Sequence, residues 1–516
     1  MSTKAAVTLA ERPAPGAPRP YDFPPVDEHR LANGLRILVA DMPGRPLIAG
    51  SLVLRNGAVD EPDDVGGATV LAARALSEGT ERYDAIQLTE ASERLGASLH
   101  AEAGWDALTA SVDVPRDRLE AALELLAEMV LHPTFPEREV ERLRDERLND
   151  LLQARADPRR RADEAFVETI YDPAAPYHRP AGGTKETVDG LGRAQLRRAY
   201  ERGLDPGRAT FVIGGELAGL DVPATIERLF GDWTALPAVA GDGPINDAPS
   251  RRDRIVRVVH RPGAVQSEIR IGHRGVPRRI PDFHAVAVMS AILGGLFNSR
   301  LNMNLREEKG YTYGAGAGFD MRRGAGPFSA RAAVNTEVTV PAVNEFLVEL
   351  TRMRDEAVTE AELRAARDFL VGVFPLRFET AGAVVAALCG LVVHDLSVDE
   401  LLRYRSAIEA VTVADVAAAA RAHLLLEEAS IVVVGDADQF GEALEAAGVG
   451  PLVVERDEGP IASGPLDEPV GPVDSEDDTG PVVGATDPDL EGSADEPAAA
   501  EATPDAGSIG GTEPQR

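Results

Sequence analysis

The sequence predicts an α+β protein made of two copies of one unit, each a mostly antiparallel sheet covered by helices. Three observations predict it. A strand, a Pro-Gly connection and a second strand occur at 35–39, 43–44 and 48–54, and the same order returns at 255–259, 262–263 and 268–272. Amphipathic helix patterns stand at 136–145 and 359–368, and continuous apolar runs that read as buried strands at 209–214 and 429–435. The paired features lie 219, 223 and 221 residues apart. One offset kept three times indicates a duplicated unit of roughly 200 residues, near the upper end of ordinary domain size.

Taken in order, residues 1–25 are rich in Pro and Ala without an apolar core segment, so they read as a disordered arm with no secretory signal. The first unit spans 26–237. Segment 238–252, rich in Pro, Gly and Asp, is the linker to a second unit at 253–450. Within that unit, 298–309 reads as a helix with Leu301 and Leu305 on one face, Gly310 as its left-handed stop, and 311–313 as the start of a strand. The glycines of 314–318 lack dinucleotide-binding spacing and follow a helix, so they read as a small-residue strand that a peptide backbone could approach. Segment 181–185 lacks phosphate-loop spacing. The helix at 359 is opened by a Thr359/Glu362 capping box. The apolar run 382–393 is short of the ~20 residues that span a bilayer, and its Cys389, the only cysteine, reads as a small core side chain. Past Gly450 periodicity is lost, and 451–516 is expected to be an acidic disordered tail.

Charge narrows the partners. The formal net charge is −32, and 455–516 holds 17 acidic residues against Arg456 and Arg516. The remaining body is still acidic, which argues against nucleic acid or an anionic membrane as a partner. The expected location is the cytoplasm.

The most informative segment is LGGLFNSRLNMNLREEKGYTY at 293–313, which places Arg306 and Tyr313 seven residues apart across a helix end. Taken alone, an Arg in a Leu-Arg-Glu-Glu-Lys run is a solvated helix face and a strand Tyr is packing. Set to face one space, a guanidinium and a phenol supply fixed donors for a peptide carbonyl, or for the oxyanion formed when that carbonyl is attacked.

The duplicated unit, together with Ser299-Arg300-Leu301 and the run from Leu305 to Tyr313, resembles the pitrilysin/insulinase family of inverted-motif zinc peptidases over about four fifths of the chain. It is most similar to the two-domain branch that includes the mitochondrial processing peptidase subunits. That family carries His-x-x-Glu-His in a first-half helix, two His for zinc and a Glu as base. Here the glycine frame persists from Gly67 to Thr80, but Val70 and Arg74 stand where the histidines would be and Ala73 where the base would be. Val70 has no donor atom, Ala73 no proton acceptor, and Arg74 repels a cation. Asp150 aligns with the family's third ligand, a Glu, and reads most simply as a solvated helix residue. None of the nine histidines has another at i+3 or i+4.

Arg306 and Tyr313 match the family's substrate-binding Arg/Tyr pair. The resemblance therefore implies half of a clam-shaped peptidase: a non-catalytic, substrate-binding subunit that holds no metal or other cofactor and is inactive alone. Its partner would be a zinc-bearing paralogous peptidase subunit, and peptide its substrate. The alternative is a proteolytically inactive scaffold or peptide-binding protein of the same fold. The glycine-rich loop of the mitochondrial non-catalytic subunit is not reproduced, since 294–299 is too short, so presequence recognition is not implied.

Overall fold

The Pro-Gly connections act as expected: Gly44 (φ 80°) and Gly263 (φ 73°) adopt the left-handed conformation that turns each opening strand back on itself. The computed structural model describes residues 20–235 and 243–456. In the first half β1 (Val26–Arg30), β2 (Arg36–Asp41), β3 (Leu47–Leu54), β4 (Ser98–Ala103), β5 (Leu108–Pro115) and β6 (Ala209–Gly215) form a sheet in the order β1-β2-β6-β3-β5-β4. In the second, β7 (Val256–His260), β8 (Gln266–Arg274), β9 (Ala315–Phe319), β10 (Pro327–Asn335), β11 (Ser430–Gly435) and β12 (Leu452–Arg456) take the order β12-β7-β11-β8-β10-β9. Among the described residues only β2–β6, β7–β11 and β7–β12 pair in parallel. The α+β class and the duplication thus hold: five strands of each half occupy equivalent places.

The sixth strand does not follow the repeat. β1 enters from before its half and pairs antiparallel with β2, whereas β12 comes from after its half and pairs parallel with β7. The chain expected to leave the fold at 451 therefore continues as an edge strand to Arg456. Glu455 fixes it, accepting from Arg161 at 2.9 Å and from the Arg257 guanidinium at 2.6 and 2.9 Å. The rest of the expected tail lies outside the described residues.

The two halves exchange helices. Helix Ala381–Val393 of the second half lies on β3 and β6 of the first sheet, and helix Pro158–Ile170 of the first half lies on β8 and β11 of the second. This is why β3, β6 and β11 are apolar on both faces. Cys389 sits on the exchanged helix against Ser51 of β3, and burial pushes its thiol up to about 12, in keeping with a core side chain. On the reciprocal helix, Asp163 pairs with the buried Arg270 at 2.5 Å, and Glu168 with Arg257 at 2.9 Å.

Two further boundaries need correction. Residues 20–25, expected within the disordered arm, pack on the second half: Phe23 meets Phe378 edge-on at 5.0 Å, and Tyr21 meets Phe374 at 6.0 Å. Of the linker, 243–252 is tied down, with Asp247 pairing with Arg274 and accepting from the Ala325 N–H, both at 2.7 Å. Residues 236–242 lie outside the described residues. The helices expected at 136–145 and 359–368 are Glu137–Ala156 and Glu360–Val373, the latter opened by the Thr359/Glu362 box. Among the described residues no single helix is long and apolar enough to cross a membrane.

Candidate functional site

Helix Ala68–Ala75 carries the altered metal motif and starts at Gly67 (φ 94°). The buried Glu61 carboxylate accepts from the Gly67 and Thr69 N–H groups at 2.9 and 2.6 Å and pairs with Arg179 at 3.0 Å, which holds the helix start in place. Val70 is 8% exposed and Ala73 is fully buried, so both serve the core, while Arg74 lies on the solvent side. Asp150, on helix Glu137–Ala156, is partly exposed, but it is more than the simple solvated residue the sequence suggested. It takes hydrogen bonds from Arg147 at 2.5 Å and from Arg160 at 2.8 and 3.2 Å. Burial raises its carboxyl, but the Arg160 hydrogen bond and the charges of Arg147, Arg160 and Arg74 outweigh burial and hold it below the usual range. The fold thus brings Arg74 and Asp150 into electrostatic reach of each other. The place where the family would hold zinc is a carboxylate among guanidiniums, and this donor set does not fit the metal.

A second cluster was invisible in the sequence. His260, Asp436 and Asp438 bring potential ligand atoms within 4.8 Å of one another across strand ends 176 residues apart. Hydrogen bonding argues against a metal role there. His260 Nδ1 accepts the Ala437 N–H at 3.1 Å, so in the neutral ring Nε2 carries the proton and cannot offer a lone pair. The Asp436 carboxylate is engaged by Gly263 N–H at 3.0 Å and Gln439 at 2.7 Å, and Asp438 by Arg456 at 2.9 Å.

The Arg/Tyr segment has an uncommon backbone. Two stretches of π-helix, Ala291–Gly295 and Asn302–Glu308, flank residues 296–301; such i→i+5 windings are rare and are frequently found at functional sites. Leu301 and Leu305 are fully buried as expected, and Gly310 (φ 66°) ends the winding as expected. Close packing fixes the rest: a Cβ at Gly294 would fall 2.2 Å from the Ala317 backbone nitrogen, so only glycine lets β9 lie against the first π stretch. The strand expected from 311 instead begins at Ala315. Thr312 Oγ1 donates to the Gly314 carbonyl at 2.8 Å and accepts its N–H at 3.1 Å, which closes a side-chain turn with Tyr313 at the tip.

Arg306 is half-buried, its guanidinium 4.5 Å over the Phe297 ring and its Nε 3.6 Å from Glu307. Tyr313 is 93% exposed, and Phe297 and Met303 beside this segment are also exposed. The segment therefore offers a stacked cation, a phenol and apolar surface. These are groups that can bind a peptide carbonyl with its neighbouring side chains.

Two family models match the chain, "Insulinase (Peptidase family M16)" over residues 36–179 and "Peptidase M16 inactive domain" over 190–370. An uncharacterized zinc protease of Mycobacterium tuberculosis is 26% identical over 413 residues, 78% of this chain and 92% of the relative. A "non-peptidase homolog" of Helicobacter pylori is 24% identical over 336 residues, 64% of this chain and 75% of the relative. Among solved structures, a peptidase M16 inactive domain from Pseudomonas fluorescens superposes with a TM-score of 0.74 at 24% identity, covering 80% of this chain and 98% of that one. A structure described as a protease from Helicobacter pylori gives 0.74 at 18%, covering 80% and 100%.

Proposed function

The chain belongs to the insulinase peptidase family M16, and on that premise we propose that it is a non-catalytic, substrate-binding subunit of a heterodimeric zinc peptidase. In this reading a zinc-bearing paralogous subunit supplies the metal and its water. This chain supplies Arg306 and Tyr313, whose donors hold the carbonyl of the peptide bond to be cut. One observation carries the reading: the metal motif has become core and guanidinium (Val70, Ala73, Arg74), while the Arg/Tyr segment keeps an exposed phenol on a closed turn. A chain that never touched substrate would need neither the π-helical winding nor a tyrosine held out in solvent.

The second reading, a proteolytically inactive scaffold or peptide-binding protein, is favoured by the similarity to a relative named a non-peptidase homolog. Co-expression with a paralogue carrying an intact His-x-x-Glu-His motif separates the two. The first reading expects a one-to-one complex on gel filtration that cleaves peptides neither chain cleaves alone. Separate elution at micromolar concentration, with this chain a stable homodimer, favours the scaffold.

A further inference from the structure

Asn302 occupies the first position of the second π stretch, half-buried beneath the segment that carries the Arg/Tyr pair. Its Oδ1 accepts the Ala315 N–H at 2.8 Å, and its Nδ2 donates to the Leu296 carbonyl at 3.2 Å. These two bonds reach opposite ends of the site. Ala315 is the first residue of β9, two residues beyond Tyr313, and its anchored N–H sets where the Tyr313 turn leaves the sheet. Leu296 precedes Phe297, the ring over which the Arg306 guanidinium lies.

We infer that Asn302 is a positioning residue that holds Arg306 and Tyr313 in one fixed relation through this double hydrogen bond. The inference rests on the proposed role of the pair in binding peptide. A carboxamide is the group this place requires, because one end must accept from an amide and the other must donate to a carbonyl. Aspartate keeps only the acceptor and sets a negative charge against the Leu296 oxygen. Leucine keeps the approximate volume and makes neither bond. The other supports do not link Leu296 to Ala315: the Leu296 carbonyl also accepts the Ser299 N–H at 3.0 Å, the Tyr311 N–H donates to the Leu305 carbonyl at 2.8 Å, β9 pairs with β10, and the Thr312 turn is closed within itself. Loss of the brace lets the two donors move independently, and a misplacement of ~1 Å can cost on the order of a hundredfold in rate.

The test compares Asn302→Leu, Asn302→Asp and Tyr313→Phe, singly and as the Asn302→Leu/Tyr313→Phe double variant, in the complex with the zinc-bearing paralogue. In the isolated chain, hydrogen exchange of the Ala315 amide is measured. Asn302→Leu should speed exchange at Ala315 and lower kcat about ten- to a hundredfold with a smaller change in KM. Added to Tyr313→Phe it should cost less than it does alone, because part of its effect runs through that side chain and only the Leu296 side remains. Asn302→Asp should protect Ala315 nearly as well as the wild type yet still lose turnover through the Leu296 side. Faster exchange at Ala315 with full turnover would overturn the inference, as would losses that multiply in the double variant. If Tyr313→Phe alone costs nothing, it is the proposed role of the pair that fails, and the brace has nothing to position.

Discussion

At Asp150 the competition between burial and charge is decided by arginines. Burial favours the neutral acid, yet the hydrogen bond from Arg160 and the charges of Arg147, Arg160 and Arg74 keep the carboxyl ionised. A divalent cation entering there would have to take this carboxylate from partners that repel it; two like unit charges ~4 Å apart near a protein surface cost about 4 kcal/mol. The purified chain should therefore carry no stoichiometric zinc and should cleave no peptide unaided. Elemental analysis checks this, and about one tightly held zinc per chain with chelator-sensitive activity would overturn it. Val70 and Ala73 were readable as non-ligands from their chemistry alone. The engagement of Asp150 was not, because Arg160 reaches it from the next helix, ten residues on, and nothing in the spacing announces that contact.

Among the elements, the paired π stretches depend on close approach. A Cβ at Gly294 collides with the Ala317 backbone nitrogen, which a backbone cannot avoid as a flexible side chain could. Gly294→Ala should displace β9 and the Tyr313 turn attached to it. The expected result is a loss of about 1–3 kcal/mol on denaturant unfolding, the usual range for overpacking, with faster proteolytic cleavage near 309–315. Wild-type stability together with an unchanged cleavage pattern would show that this contact does not hold the segment. The helix ending before Gly310 was legible because 3.6-residue periodicity put Leu301 and Leu305 together and a glycine followed. Periodicity does not separate an α winding from a π winding over seven residues, nor does it show that Thr312 closes a turn and delays the strand. The exchanged helices escaped the sequence for another reason: an apolar run says that a face is buried, not by which half.

For the whole molecule, the duplication was legible because three features repeat at nearly one offset, and it failed at the sheet edges, where β1 and β12 come from opposite sides of their halves. The joined halves bury titratable groups whose protons link folding to pH. Burial lowers His273 to about 4, with its Nε2 already accepting the Leu425 N–H at 3.0 Å, and lowers His394 to about 4. Between pH 4 and 6.5 the unfolded chain binds protons at these two histidines that the folded chain does not, so their contribution makes stability rise with pH. Asp106, whose Oδ2 accepts the Arg323 N–H across the halves, is raised by burial to about 6. It works in the opposite direction, since between pH 3.8 and 6 the folded chain holds the extra proton. His284 acts with the two histidines, and the raised Glu61, Asp113 and Glu164 act with Asp106, so each contribution is read by difference. Between pH 4.5 and 6.5 the melting temperature of His273→Gln should gain less with pH than that of the wild type, and an identical slope would exclude His273 as a source.

The most direct test of the division of labour between the two subunits is the turnover of the one-to-one complex carrying Tyr313→Phe, which removes one hydroxyl from an exposed ring. If that hydroxyl holds the reacting carbonyl, turnover should fall about ten- to a thousandfold, the range for losing a transition-state donor, with assembly and melting temperature unchanged. Full activity of the Tyr313→Phe complex would contradict a substrate-binding role for this chain's Arg/Tyr pair.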